Sequence, residues 1–307
     1  MSQTQCIRVL GISSALACAT SEADSISLPP LALGNASFMD GVAGPGALFE
    51  LPVQYYRSNS AYDAHGHALP GRQQVHSTTV LPHLAYFSDK TLLGANYGAE
   101  VLLPLVNLEI EIDQGPKGRR TRQGDMIVSP FLLQWAPVSF FSRPYWQRLN
   151  FVFSLPTGSY NKDSSLNTGS NVWVFNPHYV FTWELTDRLE VSGRFNYAWS
   201  SRNNDPASVL QAGSIQPGEA FHSNLSVSYA VAEKWRIGVA GYQLKQISDD
   251  RIDGHRQRDS REQVTGIGPG VMYQQGSQTF FANLYFESGA ENRAQGTQLT
   301  LRYLHGF

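Results

Sequence analysis

Twelve stretches of this chain alternate apolar and polar residues one at a time. In one of them, Leu189, Val191 and Phe195 are separated by polar residues. Successive side chains of a β-strand point to opposite faces, so each stretch is predicted to form a strand with one apolar and one polar face. The predicted strands span residues 47–58, 74–88, 91–112, 124–138, 147–157, 171–185, 188–201, 219–232, 234–248, 262–275, 278–288 and 295–307.

The last of these stretches limits the fold further. Leu299, Leu301, Tyr303 and Phe307 share one face, and Thr300 and Arg302 share the other. A long apolar edge strand would aggregate in water, so it must close the sheet on itself with its apolar face in lipid. We therefore predict an all-β fold, a transmembrane up-and-down antiparallel β-barrel of 12 strands. Tyr303 and Phe307 also resemble the C-terminal signal read by the barrel-assembly machinery, a predicted partner.

The connections between the predicted strands alternate in length. Residues 88–90, 186–188, 233–234 and 276–277 are predicted tight turns, whereas 59–73, 113–123, 158–170, 202–218 and 249–261 are long polar loops. Short turns on one side and long loops on the other are typical of bacterial outer-membrane barrels, with both termini in the periplasm. Tryptophan, which favours membrane interfaces, lies near the predicted strand ends at Trp135, Trp183 and Trp235 and at Trp173 and Trp199, with Trp146 in a turn.

Composition and the first residues divide the chain into three parts. Only 16% of the residues are charged, below the roughly 25% of soluble domains, and the net charge of −2 gives no reason to expect nucleic acid as a partner. Residues 1–19 read as a signal peptide and contain both cysteines, Cys6 and Cys18, so no disulfide is expected afterwards. Residues 20–46 form a Pro/Gly-rich segment, a candidate lumen plug, and residues 47–307 form the barrel.

Four segments resemble the outer-membrane channel family known as "MetA-pathway of phenol degradation". They are residues 28–41 (LPPLALGNASFMDG), 124–135 (GDMIVSPFLLQW), 155–160 (LPTGSY) and 171–177 (NVWVFNP). The resemblance implies a twelve-stranded barrel in the bacterial outer membrane for passive uptake of small hydrophobic or aromatic compounds. It brings neither catalytic residues nor a cofactor, and small apolar solutes are the implied partners.

A set of polar residues is predicted to face the lumen and to line the solute pathway. It consists of Glu100, Asn176, His178, Glu184, Arg194, Asn196, His222, Asn224, Arg236 and Arg302. These side chains could equally pair and fill a narrow lumen, because small barrels are packed inside. Histidines also crowd the first loop with Asp63, but nothing in their spacing fixes a coordination geometry, so no metal is expected.

Two other classes of function stay open at this stage. A phospholipase-like barrel hydrolase needs Ser, His and an orienting polar group in contact. His222, Asn224 and Ser226 share a face, whereas Ser223 points away. A structural or adhesive barrel would need no pathway at all.

Two basic clusters are predicted to lie in outward-facing loops. Arginine suits phosphate, so these clusters predict contact with outer-membrane lipid and lipopolysaccharide, although they could simply be solvated. They are Lys117, Arg119, Arg120 and Arg122, and Arg251, Arg256, Arg258 and Arg261.

Prolines in the first four predicted strands suggest a lateral opening in the barrel wall. Pro52, Pro82, Pro104 and Pro130 occupy neighbouring strands, with Pro177 and Pro269 in two later ones. Proline cannot donate to a ladder, so each is expected at a bulge or local opening. Either these residues mark a sideways exit for apolar solutes, or they only add curvature to the sheet.

Overall fold

The computed structural model describes residues 26–307 except Gln114. The predicted signal peptide, residues 1–19, lies outside the described residues. One short 3₁₀ helix, Ser208–Leu210, accompanies the strands. Within the described ranges, no helix is both long enough and apolar enough to cross a bilayer.

Twelve antiparallel strands form the wall of the molecule. The main sheet contains 16 strand segments, and because four strands are each interrupted once, they amount to twelve. The strands are β1 (Gly46–Ala61), β2 (Gln73–Val80 and His83–Leu92), β3 (Ala95–Leu102 and Leu105–Ile112), β4 (Lys117–Gln123 and Ile127–Phe140), β5 (Arg143–Ser154), β6 (Val174–Phe175 and His178–Glu184), β7 (Leu189–Ser200), β8 (Ala220–Ala232), β9 (Trp235–Gln246), β10 (Gln263–Gln275), β11 (Gln278–Glu291) and β12 (Ala294–Gly306).

The last strand closes the sheet onto the first. β12 pairs with β1 from Leu48↔Gly306 to Ala61↔Ala294. The backbone N–H of Phe307 extends the ladder by donating to the carbonyl of Ala47 at 2.9 Å. The predicted closed up-and-down barrel of twelve strands is thereby confirmed.

The two faces of the wall differ as the alternation predicted. Large apolar side chains on the outside are exposed, among them Phe195, Val227, Ile237, Phe286 and Leu301. The intervening inward positions carry buried polar side chains, including Ser192, Asn196, His222, Asn224 and Thr300. The apolar outer face can meet lipid because the strands along it, apart from the first half of β4, are paired on both sides, as a membrane-spanning barrel requires.

One tight turn lies later in the chain than its sequence suggested. Residues 88–90 are inside β2, and the hairpin turns at Leu93 and Gly94, whose φ angles are 53° and 75°. Positive φ at both central residues is the two-residue turn that matches strand twist. Phe141 and Ser142 make the same kind of turn between β4 and β5, with φ angles of 48° and 61°. The polarity of residues 88–90 was therefore a misleading signal.

Two other local predictions are corrected. Lys117–Gln123, predicted as part of a long loop, is the first half of β4 and pairs with Leu105–Ile112 of β3. Trp146, predicted in a turn, lies within β5 and donates its indole N–H to Glu184 Oε1 at 2.8 Å. Lys117–Gln123 runs on past the apolar band, where the outward face no longer has to be apolar. Trp146 faces inward opposite the buried Thr182, so it belongs to the polar face of β5.

Prolines of β1, β2 and β3 fall on one diagonal line that ends in β4. We call this line the proline crease; it contains Pro52, Leu81, Pro82, Leu103, Pro104 and Gly124. Each proline carbonyl still accepts a hydrogen bond from the next strand, at 2.8–3.0 Å. A strand proline therefore removes one donor from the ladder here without separating the strands.

The expectation that each strand proline lies at a bulge or opening holds only in part. Pro52 pairs with Arg302 of β12 in an unbroken register, but on its other side the ladder to β2 is interrupted between Val53↔Val80 and Glu50↔His83. Pro82 and Pro104 coincide with short breaks within β2 and β3. Pro130 lies at a register shift between β4 and β5. Strand pairing persists beside these prolines because a proline carbonyl still accepts a hydrogen bond from the neighbouring strand.

The proline crease ends beside a weakly paired part of the wall. Among the described residues, Lys117–Gln123 has a strand partner on one side only. On its other side, the N–H of Ser159 and the hydroxyl of Thr168 donate to the carbonyl of Gln123, at 3.0 and 2.7 Å. A connection, residues 155–173, thus stands where a neighbouring strand would otherwise continue.

Residues 26–45, which we call the N-terminal segment, lie inside the barrel. Ile26 is bonded to Asp250, in the connection between β9 and β10, at the end with the long connections. The segment leads to Gly46, which pairs with Phe87 near the tight-turn end. Phe307 lies at the tight-turn end as predicted, whereas Ile26, the first described residue, lies at the opposite end.

Candidate functional site

The N-terminal segment is held by hydrogen bonds from inward-facing side chains along its length. The carbonyl of Leu33 accepts from Gln54 and Gln298 at 2.9 and 3.0 Å. The N–H of Gly34 donates to Asn224 Oδ1 at 2.7 Å, and the N–H of Gly41 donates to Thr182 Oγ1 at 2.8 Å. Polar side chains of the wall thereby satisfy a backbone that forms no ladder of its own.

A buried ion cluster holds the later part of the N-terminal segment, around Asp40. Arg194 donates to both carboxylate oxygens of Asp40, Nε to Oδ2 at 2.9 Å and Nη2 to Oδ1 at 2.7 Å. Arg148 donates to the Asp40 carbonyl at 3.0 Å and approaches its carboxylate at 3.7 Å. Burial alone would raise the pKa of Asp40, but the two guanidinium groups hold it below its ordinary value.

A second chain of charges runs along β1, β2 and β3. The two ring nitrogens of His83 face carboxylates, Nδ1 to Glu50 at 3.0 Å and Nε2 to Glu100 at 3.2 Å. Arg302 bonds the other oxygen of Glu50 at 3.0 Å, and Asn150 donates to the other oxygen of Glu100 at 3.0 Å. An imidazolium can donate to both carboxylates, so these charges satisfy one another along the inner face of neighbouring strands.

Two buried carboxyl groups hold the start of the segment at the long-connection end. Asp250 Oδ2 accepts from the N–H of Ile26 at 3.2 Å, and Glu262 Oε1 accepts from the N–H of Leu28 at 2.8 Å. Arg293 pairs with Glu262 at 3.2 Å. Burial raises the pKa of Asp250 to about 8, to which the neighbouring Glu262 also contributes.

One carboxyl group ties the connection 155–173 to the end of the proline crease. Asp125, next to Gly124, accepts from the backbone N–H groups of Gly158 at 2.9 Å and Ser170 at 2.8 Å, and from the Ser170 hydroxyl. The Asp125 side chain is 4% exposed, so these hydrogen bonds are shielded from water. Asp125 therefore holds the connection against the wall by hydrogen bonds.

A cavity of about 430 Å³ lies between the N-terminal segment and β1–β7, and β11 and β12 also contribute to its lining. Part of its lining is apolar and includes Leu81, Leu102, Pro104, Ile127, Val152 and Val174. The rest includes the charged clusters around Asp40 and His83. The volume is within the range of small-molecule sites, and an apolar wall with a few placed polar groups is typical of them.

Six of the ten predicted lumen residues line this cavity. They are Glu100, Asn176, His178, Arg194, Asn196 and Arg302. The other four point inward elsewhere. Asn224 bonds the N-terminal segment, His222 bonds Asn176 at 3.2 Å, and Glu184 and Arg236 lie near the tight-turn end, bonded to Trp146 and Ser228.

Of the four prolines proposed for a lateral opening, two line the cavity. Pro52 and Pro104 face inward into it, whereas Pro82 and Pro130 face the outer side of the wall. Pro130 accepts a hydrogen bond at its carbonyl from the hydroxyl of Tyr97 at 2.9 Å.

Several cavity residues were missed from the sequence. They are Asp40, Glu50, His83, Arg148 and Asn150. Arg148 and Asn150 occupy the polar face of β5, so the alternation of β5 could have predicted that they face inward. Asp40 carried no such signal because it lies in an aperiodic segment, and His83 was obscured by the adjacent Pro82.

The alternatives left open by the sequence find little support at their residues. His222 bonds Asn176, and no hydrogen bond within the described part of the chain joins it to a serine. The Ser226 hydroxyl is buried with no partner there. Near the first loop His67 contacts Asp63 at 3.4 Å, and no group of three or more metal-binding side chains occurs in residues 26–307 apart from Gln114.

The two basic clusters differ in structure. Lys117, Arg119, Arg120 and Arg122 lie on the first half of β4, where Arg120 bonds Ser164 and the Leu166 carbonyl. In the connection between β9 and β10, Arg256 and Arg261 both pair with Asp249, at 2.9 and 2.6 Å. The second cluster is thus partly neutralised.

Comparison with known proteins gives a family and a fold. The family described as "Putative MetA-pathway of phenol degradation" matches residues 58–303. The crystal structure of an outer-membrane channel from Pseudomonas putida F1 is similar at a TM-score of 0.76 with 20% identity, covering 87% of this chain and 97% of that one. No curated protein sequence matches this chain.

Two other solved structures are similar at lower TM-scores. A deletion mutant of TodX, titled a monoaromatic hydrocarbon channel, has a TM-score of 0.45 and 9% identity over 87% of this chain and 91% of that one. The translocator domain of the autotransporter NalP from Neisseria meningitidis has a TM-score of 0.47 and 11% identity, covering 86% and 90%.

Proposed function

The chain belongs to the family described as "Putative MetA-pathway of phenol degradation" and has the fold of an outer-membrane channel. On this premise we propose that it passes small hydrophobic or aromatic compounds across the outer membrane by passive diffusion. The observation that carries the proposal is the cavity of about 430 Å³ with its apolar wall inside a closed barrel. Its size suits a compact organic molecule.

Uptake by whole cells tests this function. Initial uptake of a labelled aromatic hydrocarbon is measured in cells with and without the barrel, and a sugar of similar mass serves as the comparison solute. Faster entry of the hydrocarbon but not of the sugar supports the proposal. Equal rates with and without a folded, heat-modifiable barrel would contradict it.

The N-terminal segment is the proposed plug of this channel. It is bonded to the wall at Asp250, Asn224, Gln298 and Thr182 and is held by the ion cluster at Asp40. Passage then requires movement of the segment, or a route that avoids the part of the lumen it fills.

A lateral exit at the end of the proline crease is the proposed route. The cavity reaches Gly124, Asp125, Ile127 and Thr168, where the wall is completed by the connection 155–173. Outside this region Leu103 and Leu105 are exposed, so an opening here would face lipid. An apolar solute gains by leaving into hydrocarbon instead of water.

A reversible crosslink tests the lateral exit. The N–H of Ser159 bonds the carbonyl of Gln123, so a disulfide between Gln123→Cys and Ser159→Cys would lie across the proposed exit. The matched control joins Val80→Cys and Leu105→Cys, which are already register partners in β2 and β3. Loss of hydrocarbon uptake only with the first bridge, restored by reduction, is expected. Full uptake with that bridge closed would end the lateral route and leave the channel itself intact.

A further inference from the structure

Two buried polar atoms in the cavity wall stand out from their surroundings. Asn150 of β5 and His178 of β6 are register partners, and both face inward and line the cavity. They are 1% and 7% exposed. In the described part of the chain, Asn150 Oδ1 and His178 Nε2 have no hydrogen-bond partner. Buried polar atoms normally have partners, so this pair points to a ligand group.

The charged side chains around the pair already form ion pairs with one another. Arg148 and Arg194 contact the carboxylate of Asp40, and Arg302 bonds Glu50. Every arginine that lines the cavity is thus paired with a carboxylate, so an anionic ligand would have to break an existing ion pair. Arg302 Nε also has no hydrogen-bond partner within the described residues, but it belongs to the guanidinium already paired with Glu50. The neutral groups that the wall offers are an amide acceptor and an imidazole nitrogen.

The chemistry of these two atoms selects one kind of ligand group. An amide oxygen accepts a hydrogen bond, and a neutral imidazole nitrogen either donates or accepts. A hydroxyl can donate to the amide oxygen while it accepts from the imidazole. Cross-strand partners on one face are about 5 Å apart at Cβ, a separation that one oxygen can bridge.

We propose that Asn150 and His178 form a subsite that binds the neutral hydroxyl group of an otherwise apolar solute. The apolar body of the solute then lies against the cavity side formed by Val152 and Val174. This inference rests on the proposed channel function and deepens it, because it names hydroxylated apolar compounds as the preferred solutes.

A matched pair of fluorinated probes tests the subsite. 4-Fluorophenol and 4-fluorotoluene have nearly the same shape, and only the first carries a hydroxyl, which is un-ionised at about pH 6. Their binding to the full barrel in lipid nanodiscs is measured by ¹⁹F NMR, with empty nanodiscs correcting for partition into lipid.

The variants separate the subsite from general packing. His178→Phe and Asn150→Leu each remove one of the two atoms, whereas His178→Gln keeps a polar group. Ser226→Ala is the control, because it removes a buried partnerless hydroxyl that lies outside the cavity lining. Heat modifiability verifies that each variant is folded. Asn150 also bonds Glu100, so Asn150→Leu could fail to fold; His178→Phe alone is then sufficient for the test.

The expected result is a loss specific to the hydroxyl. His178→Phe should weaken 4-fluorophenol binding by about three- to tenfold, the usual effect of one hydrogen bond, and leave 4-fluorotoluene within about twofold. His178→Gln should recover part of the loss, and Ser226→Ala should bind both probes like the parent. Equal affinities in the parent, or equal effects on both probes, would overturn the subsite while the cavity remains a binding site. Binding of neither probe would overturn the subsite and the proposed function together.

Discussion

Neutralising Asp40 is predicted to release the N-terminal segment from the lumen. Arg194 binds both oxygens of this carboxylate at 2.9 and 2.7 Å, and Arg148 approaches it at 3.7 Å. Asp40→Asn keeps the shape of the side chain but removes its charge. It also turns an amide NH₂ group toward a guanidinium that can only donate.

The magnitude follows from the burial of the cluster. The side chains of Arg194 and Arg148 are 17% and 10% exposed, so water screens their charges only weakly. Removing one partner of a buried pair costs about 3–5 kcal/mol, because the remaining charge stays buried. Since about 1.4 kcal/mol is tenfold in an equilibrium constant, displacement of the segment should become easier by a factor on the order of 10²–10³.

Single-channel recording in planar bilayers measures the displacement. The Asp40→Asn variant should open far more often than the parent. The double variant Asp40→Asn with Arg194→Gln should return toward the closed state, because it removes the unpaired charge. Asp63→Asn is the control at a partly exposed loop carboxylate. If Asp40→Asn and the parent show the same open fraction in folded barrels, the ion cluster does not hold the segment.

The same cluster predicts opening in acid. The pKa of Asp40 is below its ordinary value in the folded barrel, so its contribution is fully present above the ordinary pKa. It is lost as the pH falls through the lowered pKa. Open probability should therefore rise at the acid end of the range in the parent and change less in Asp40→Asn.

Three further predictions concern other parts of the chain. The pKa of Asp250 is raised to about 8 from 3.8, so stability from this group should fall as the pH rises between these values; thermal unfolding of Asp250→Asn should lack that slope. Tyr303→Asp puts a charge on the lipid face of β12 near the tight-turn end, where the cost is below the roughly 2–4 kcal/mol of an Arg or Lys at mid-depth, so less heat-modifiable barrel is expected, and normal assembly would contradict the register. Tags in residues 62–72 should be labelled on intact cells and a tag after Asp187 should not; surface labelling after Asp187 would reverse the orientation.

The barrel itself was predictable from the sequence because its determinant is local. Lipid on one side and a polar lumen on the other impose a two-residue period on every strand, as in Leu299 to Tyr303, and this period can be read without knowing any contact. The same rule failed where its cause was absent. Lys117–Gln123 extends past the apolar band, so its outer face is polar and the stretch looked like a loop. The turn at Leu93 and Gly94 was missed because backbone φ, and not polarity, determines it.

The candidate site was only half predictable, because alternation gives the direction of a side chain but not its partner. It indicated that Arg194, His178 and Arg302 face inward. It could not indicate that Arg194 meets Asp40, a residue 154 positions away in a segment without period. That segment satisfies its backbone through side chains of the wall, so its path depends on the closed barrel around it. The sequence alone determined the strands and their two faces; tertiary structure decided which inward groups are paired and which, such as Asn150 and His178, are left to bind something else.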